Sequence, residues 1–150
     1  MSVFFVDSSA LAKRYVIETG SAWVRSWILP STGNIIVISA LTTVEVVSLL
    51  MRREREGTIS VRDRVAVQNT FLRHVEDVYL TVEIDDVVLM YARNLLTRHV
   101  LRTLDAVQLA CALAAVRTLG VKMTFVSADR RLLAAASAEG LAVDDPNAHD

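Results

Sequence analysis

Cysteine is almost missing from this chain: Cys111 alone among 150 residues excludes an internal disulfide and any zinc cage built from thiolates. Its setting, Leu109-Ala110-Cys111-Ala112-Leu113, is that of a small core residue. The histidines are as uninformative, since His74, His99 and His149 have no ligand-like spacing and read as surface or partly buried side chains rather than catalytic bases. Long apolar runs are absent as well. Nothing approaches the roughly 18 apolar residues that span a bilayer, and no basic region followed by a long apolar stretch opens the chain. The expectation is a soluble, cytoplasmic protein with no membrane partner. Nor is there an excess of either charge: 16 Lys and Arg against 17 Asp and Glu leave a net charge of -1, so any surface that attracts nucleic acid must be local. No repeat, low-complexity segment or linker divides the sequence. Its 150 residues suit one domain, 1–150, that buries roughly two-thirds of its unfolded surface.

What is present is an alternation of short apolar runs with helical patterns. Strands are predicted at Val3–Val6, Ile35–Ile38, Tyr79–Ile84 and Met123–Ser127, with a fifth at the edge, Leu141–Val143. Between them lie helices from Ser8 or Ser9, as cap, to about Thr19, and over 21–28, 41–55, 60–76, 85–99, 103–119 and 129–139. Gly20, Gly57, Gly120 and Gly140 punctuate them. The stretch 144–150 is predicted to fray. Parallel strands need crossovers, and helices are the usual ones. The fold class is therefore α/β: a three-layer α/β/α sandwich around a central parallel sheet of four to five strands. In such sheets ligands bind beyond the carboxyl ends of the strands, where the strand order reverses.

Four carboxylates stand out from this pattern. Asp7 ends Val3-Phe4-Phe5-Val6, and Asp129 follows Phe125-Val126-Ser127-Ala128. Glu45 is the one charge between Leu41 and Met51, and Asp105 shares 104–116 with a single other polar residue, Gln108. Each has a plain explanation: Asp7 or Asp129 as a helix cap, Asp105 as a partner of its helix dipole. Glu45 resists one, because its helix offers no evident solvated face in that stretch. Burying a carboxylate costs several kcal/mol in order of magnitude unless it is paired or binds a metal, and no Lys or Arg occupies a matching interior position for all four. A divalent cation is the economical explanation. Oxygen-only ligands favour Mg²⁺ or Mn²⁺ over zinc.

The flanking residues carry a family resemblance. Val6-Asp7-Ser8-Ser9-Ala10-Leu11, Thr43-Val44-Glu45-Val46, Leu104-Asp105-Ala106-Val107-Gln108-Leu109-Ala110 and Phe125-Val126-Ser127-Ala128-Asp129-Arg130 resemble, in order, the acidic motifs of PIN-domain nucleases. The opening Asp7-Ser8-Ser9-Ala10-Leu11-Ala12-Lys13-Arg14-Tyr15 looks most like the VapC toxins of type II toxin–antitoxin pairs. One departure is Ser127, where the fourth motif often carries Thr.

The resemblance implies a metal-dependent endoribonuclease, with Mg²⁺ or Mn²⁺ held by Asp7, Asp105 and Asp129, and Glu45 as a further ligand or water orienter. Ser8, Ser9 and Ser127 would support those carboxylates or metal-held waters. It also implies an RNA substrate, a small antitoxin partner and a homodimer. Arg52, Arg53, Arg102 and Arg130 are the candidate phosphate contacts. Trp23 and Trp27, one helical turn apart, suit the core or an interface. Two rivals remain. A PIN-like module that binds RNA or protein without cleaving would keep the fold, and retention of all four acids speaks against it. A phospho-acceptor receiver domain would need a basic partner after its last strand, and 141–150 holds neither Lys nor Arg.

Overall fold

A computed structural model of the chain describes residues 1–149. Its elements run β1 (Val3–Val6), α1 (Ser8–Tyr15), α2 (Ser21–Ile28), β2 (Ile35–Ser39), α3 (Ala40–Arg55), α4 (Val61–Asp77), β3 (Leu80–Val82), α5 (Asp86–Arg98), α6 (Thr103–Leu119), β4 (Thr124–Val126), α7 (Arg130–Ala138) and β5 (Ala142–Asp144), with 3₁₀ turns at Pro30–Thr32 and Pro146–Ala148. All pairings are parallel, in the order β3-β2-β1-β4-β5. This is the predicted sandwich, with the fifth strand at the edge. Its order also differs from the 2-1-3-4-5 arrangement of receiver domains, which removes that rival.

Period-two alternation along β1 sends its side chains to two cores. Phe5 packs with Val37, Phe125, Leu109 and Leu132 under α5, α6 and α7, and its ring lies parallel to Phe125 at 5.5 Å. Val6 joins Ile36, Ile38 and Val126 beneath α1 to α4, with Leu11, Val24, Leu50 and Phe71. The two layers follow from chain direction. Crossovers from β1 to β3 place helices on one face, and the return through β4 to β5 places them on the other, as right-handed connections require. Cys111 lies in the first core, as expected. No single helix among the described residues is long and apolar enough to cross a membrane.

Three local departures have physical causes. α1 stops at Tyr15 rather than near Thr19, because the loop that follows wraps the buried Lys13 ammonium, which donates to the Thr19 carbonyl at 2.7 Å and to Glu18 at 3.1 Å. β3 is confined to Leu80–Val82, since the Tyr79 N–H still closes the end of α4 on the His74 carbonyl. The tail predicted to fray over 144–150 is docked through His149, and Asp150 lies outside the described residues. Asp144 pairs with Val126, Pro146 is buried, and the His149 ring stacks on Trp23 at 4.0 Å while its Nε2 meets Asp144 at 2.7 Å. Trp27 is buried against Phe4, so both tryptophans serve packing.

Gly20 makes that docking possible. It holds a φ of +83°, and a Cβ there would overlap the Pro146 carbonyl and stand 2.9 Å from the Pro146 side chain. Gly33 has a similar φ of +73° but open space around it. Gly33→Ala is therefore expected to cost only the left-handed strain, about 1 to 2 kcal/mol. Gly20→Ala should cost about 1 to 3 kcal/mol more, on the scale of an overpacked core, and should change Trp23 fluorescence as the tail lifts. Chemical denaturation of both variants checks this; equal losses would deny the Pro146 contact any role.

Candidate active site

β1 and β4 are neighbours although β2 follows β1 in sequence, so the order turns between them. A cleft therefore opens beyond their carboxyl ends. Asp7 stands immediately past β1, Ser127 immediately past β4, and Asp129 at the cap of α7. α3 brings Thr42 and Glu45 to the same place, and the first turns of α6 bring Asp105 and Gln108. Each pair is spaced i, i+3 and so shares one helix face. Asp7, Glu45, Asp105 and Asp129 all line a cleft of about 280 Å³, together with Ser8, Ser9, Arg52, Arg102 and Gln108. A larger cavity, about 710 Å³ between β3, α5 and the end of α6, is mainly apolar and carries no comparable constellation. Chemistry rather than size selects the site.

Asp7 is only 5% exposed and uses both oxygens on the protein. Oδ1 accepts from Ser9 Oγ at 2.7 Å and from the Ala10 N–H at 3.1 Å, while Oδ2 accepts from Ser127 Oγ at 2.8 Å. Asp7, not Ser8 or Ser9, is the cap of α1. Burial dominates its titration: despite three hydrogen bonds that favour the ionised form, desolvation, helped by the charge of Glu45, pushes its pKa up to about 6. Ser9 Oγ also accepts from the Ala128 N–H at 3.0 Å, and Ser127 Oγ from the Asp129 N–H at 3.0 Å. The two serines thus join α1 to the β4–α7 turn through the Asp7 carboxylate.

Glu45 is held by a second network. Its Oε1 accepts from Ser8 Oγ at 2.7 Å and from Gln108 Nε2 at 2.9 Å. The same Gln108 nitrogen lies 2.9 Å from Thr42 Oγ1 and 3.0 Å from Ser8 Oγ, so one amide group serves three oxygens. Gln108 is 2% exposed, and its Oε1 has no hydrogen-bond partner among the described residues. α3 departs from the sequence expectation of a helix with no solvated face, since Val44 is 66% exposed and the helix is buried on one side only.

Asp129 caps α7 through Oδ1, which accepts from the Arg131 and Leu132 N–H groups at 2.9 and 3.2 Å. Burial raises the Asp105 pKa, the neighbouring Asp129 charge adds to it, Arg102 opposes it, and Glu45 contributes a further upward push. Arg102 lies across both acids, with Nε 3.3 Å from Asp105 Oδ2 and Nη2 3.6 Å from Asp129 Oδ2. The four carboxylates accordingly line one cleft without converging on one point. Among the described residues, no three carboxylate, imidazole or thiolate groups form a ready coordination shell. The donor set nevertheless fits a hard cation: it is oxygen-only and partly desolvated. Glu45 Oε2 and Asp129 Oδ2 accept no hydrogen bond among the described residues.

The candidate arginines separate by direction. Arg52 and Arg102 line the cleft. Arg130 lines an adjoining groove of about 480 Å³ with Arg102, Arg131 and Val100, and that groove shares Asp105 and Asp129 with the cleft. Arg53 does not join them; it pairs with Glu18 at 2.9 Å, beside Lys13. Two residues of the site escaped the sequence reading, Thr42 and Gln108. Their signal was positional: each is a polar side chain three residues from a site acid on a largely apolar helix.

Comparisons with known proteins agree with this fold. No curated protein sequence matches the chain at a significant level. Among solved structures, VapC20 of Mycobacterium tuberculosis, described as a sarcin–ricin loop cleaving toxin, superposes with a TM-score of 0.64 at 21% identity, covering 93% of this chain and 96% of its own. PAE2754 from Pyrobaculum aerophilum gives 0.63 at 21% identity, with 98% and 85% covered. VapBC2 of Rickettsia felis, bound to a DNA fragment from their promoter, gives 0.64 at 11% identity, with 95% and 98% covered. At these identities the likeness establishes the fold. The family model of the PIN domain matches residues 4–138, nearly the whole chain, and the protein belongs to the PIN domain family.

Proposed function

We propose that this chain is a divalent-cation-dependent endoribonuclease, the toxin of a VapBC-like toxin–antitoxin pair. The observation that carries the reading is the gathering of Asp7, Glu45, Asp105 and Asp129 around one cleft at the turning point of the sheet, in a family whose members are nucleases that in general depend on a divalent metal. When bound, Mg²⁺ or Mn²⁺ supplies Lewis-acid stabilisation of the phosphodiester and acidifies the attacking water.

The residues of the chain do the rest. Asp7, Asp105 and Asp129 would hold the ion, with Glu45 as a further ligand or water orienter. Glu45 and Asp129 each have one oxygen that accepts no hydrogen bond among the described residues, while Asp7 would use lone pairs left beside its bonds to Ser9 and Ser127. Gln108, Thr42 and Ser8 fix which Glu45 oxygen faces the cleft, and Ser9 and Ser127 fix the plane of the Asp7 carboxylate by holding one oxygen each. Hydrolysis forms a P–O bond to the oxygen of water and breaks a P–O ester bond, whose oxygen leaves with a proton. A cleft lined by Arg52 and Arg102, with Arg130 and Arg131 in the adjoining groove, suits a single-stranded or looped RNA, in which the scissile phosphate is accessible.

The partner reading leans on complexes of the same fold: a Klebsiella pneumoniae toxin–antitoxin complex superposes with a TM-score of 0.59 at 13% identity, with 95% of this chain and 97% of that chain covered. A small antitoxin and a second copy of the chain are the proposed partners, and the cytoplasm the proposed location. Exposed apolar side chains on α4, among them Val61 and Val65, are available to either partner.

Purified protein is expected to cleave single-stranded or looped RNA with Mg²⁺ or Mn²⁺, to stop with EDTA, and to lose at least about 100-fold in rate in Asp7→Asn or Asp105→Asn, comparable to removing other essential electrostatic groups. Metal-independent cleavage that survives both substitutions would overturn the mechanism. RNA binding without cleavage, insensitive to EDTA, would instead favour the silent binding module. Grip is tested separately. Replacing Arg52 and Arg130 by Gln should lower the salt dependence of RNA binding by up to about two ion equivalents, and Arg53→Gln should leave it unchanged because that guanidinium is turned to Glu18.

A further inference from the structure

Arg102 is a poor residue for the position it occupies. Five helices, α1, α3, α4, α5 and α7, open on Asp7, Ser39, Ser60, Asp85 and Asp129, each accepting a hydrogen bond from a first-turn N–H. α6, one of the two longest helices, opens on Arg102 with no side-chain cap. An arginine there forgoes the cap and places a cation against the positive end of the helix dipole. Neither capping nor the helix dipole therefore explains it. The guanidinium is turned onto Asp105 and Asp129, at 3.3 and 3.6 Å, although the side chain remains 84% exposed.

We propose that Arg102 is the internal counter-cation of this site: it bridges Asp105 and Asp129 while no metal is bound, yields them to the divalent ion, and then turns to a phosphate of the RNA. The inference rests on the metal-dependent reading above and adds a positioning residue to it. Two observations join in it. The acids Arg102 spans belong to both the cleft and the arginine-lined groove, so a guanidinium released from them stays between the ion and the path of the strand. The carboxylates fail to converge where Arg102 sits between two of them. Because the pair is exposed, its hold is weak, and a dication outcompetes it readily.

The sign of the effect is unusual and testable: removing a side chain from the site should improve metal binding. Mn²⁺ affinity, read from the free-ion signal in electron paramagnetic resonance at low salt, should rise about two- to fivefold in Arg102→Gln, the fold-change equivalent of an exposed ion pair. Arg102→Lys should stay close to the parent. Binding of a single-stranded 2′-O-methyl oligoribonucleotide with Mn²⁺ present should weaken in Arg102→Gln, and its salt dependence should drop by about one ion equivalent. If the parent protein binds Mn²⁺ and Arg102→Gln binds it no more tightly, or if RNA affinity and salt slope are unchanged, Arg102 has no such role while the nuclease reading stands. If the parent binds no Mn²⁺ at all, both fall together.

Discussion

A carboxylate buried where two strand ends meet is the constraint on which this molecule is organised. Asp7 is nearly inaccessible, and an acid held at about 6 rather than near 4 costs the ionised fold on the order of 3 kcal/mol. The chain tolerates that because the same carboxylate binds three parts of the structure together. It caps α1, accepts from Ser127 at the end of β4, and through Ser9 reaches the Ala128 N–H before α7. The serines of the first and fourth motifs are thus ties between β1 and β4 at the point where the strand order turns. The cleft exists there because no loop crosses the gap between strands whose connections run in opposite directions.

The choice between a capping role and a functional one dissolves at the level of single oxygens. Asp129 spends Oδ1 on two N–H groups of α7 and leaves Oδ2 to the cleft. Glu45 spends Oε1 on Ser8 and Gln108 and leaves Oε2. A carboxylate has enough lone pairs for both tasks, and the structural bond fixes the direction of the free oxygen. The fold itself therefore orients the acids. What it does not relieve is their mutual charge. Asp105 feels Asp129 and Glu45, and the only nearby cation bridging acids among the described residues, Arg102, is largely in solvent, where an ion pair contributes little.

Much of this was legible in the sequence because it rests on local rules. Short apolar runs ending in an acid gave β1, β4 and the residues past them, and lone charges on apolar helices gave Glu45 and Asp105. What escaped depended on contacts distant in sequence. Gln108 meets Glu45 across 63 positions, and nothing in either helix alone reveals it. Arg52 and Arg53 are adjacent on α3, yet a helical step of about 100° sends one to the cleft and the other to Glu18. The tail, with little hydrophobicity of its own, is held by a carbonyl fitted against a glycine in another turn, a contact that neither segment encodes by itself.

The central claim is that these acids share one charge-strained pocket that a divalent cation relieves, and its sign can be measured. Melting curves of the parent and of Asp105→Asn, each with EDTA and with Mn²⁺, compare the strain with its relief. The raised Asp105 pKa means that its ionised form weakens the metal-free fold, so removing that charge should leave the melting temperature with EDTA unchanged or higher. The stabilisation that Mn²⁺ gives by binding the native state should shrink in the same variant. A variant that melts lower with EDTA, by the few tenths to about 1 kcal/mol expected from losing a helix-dipole partner, and that keeps the full response to Mn²⁺ would contradict the shared site.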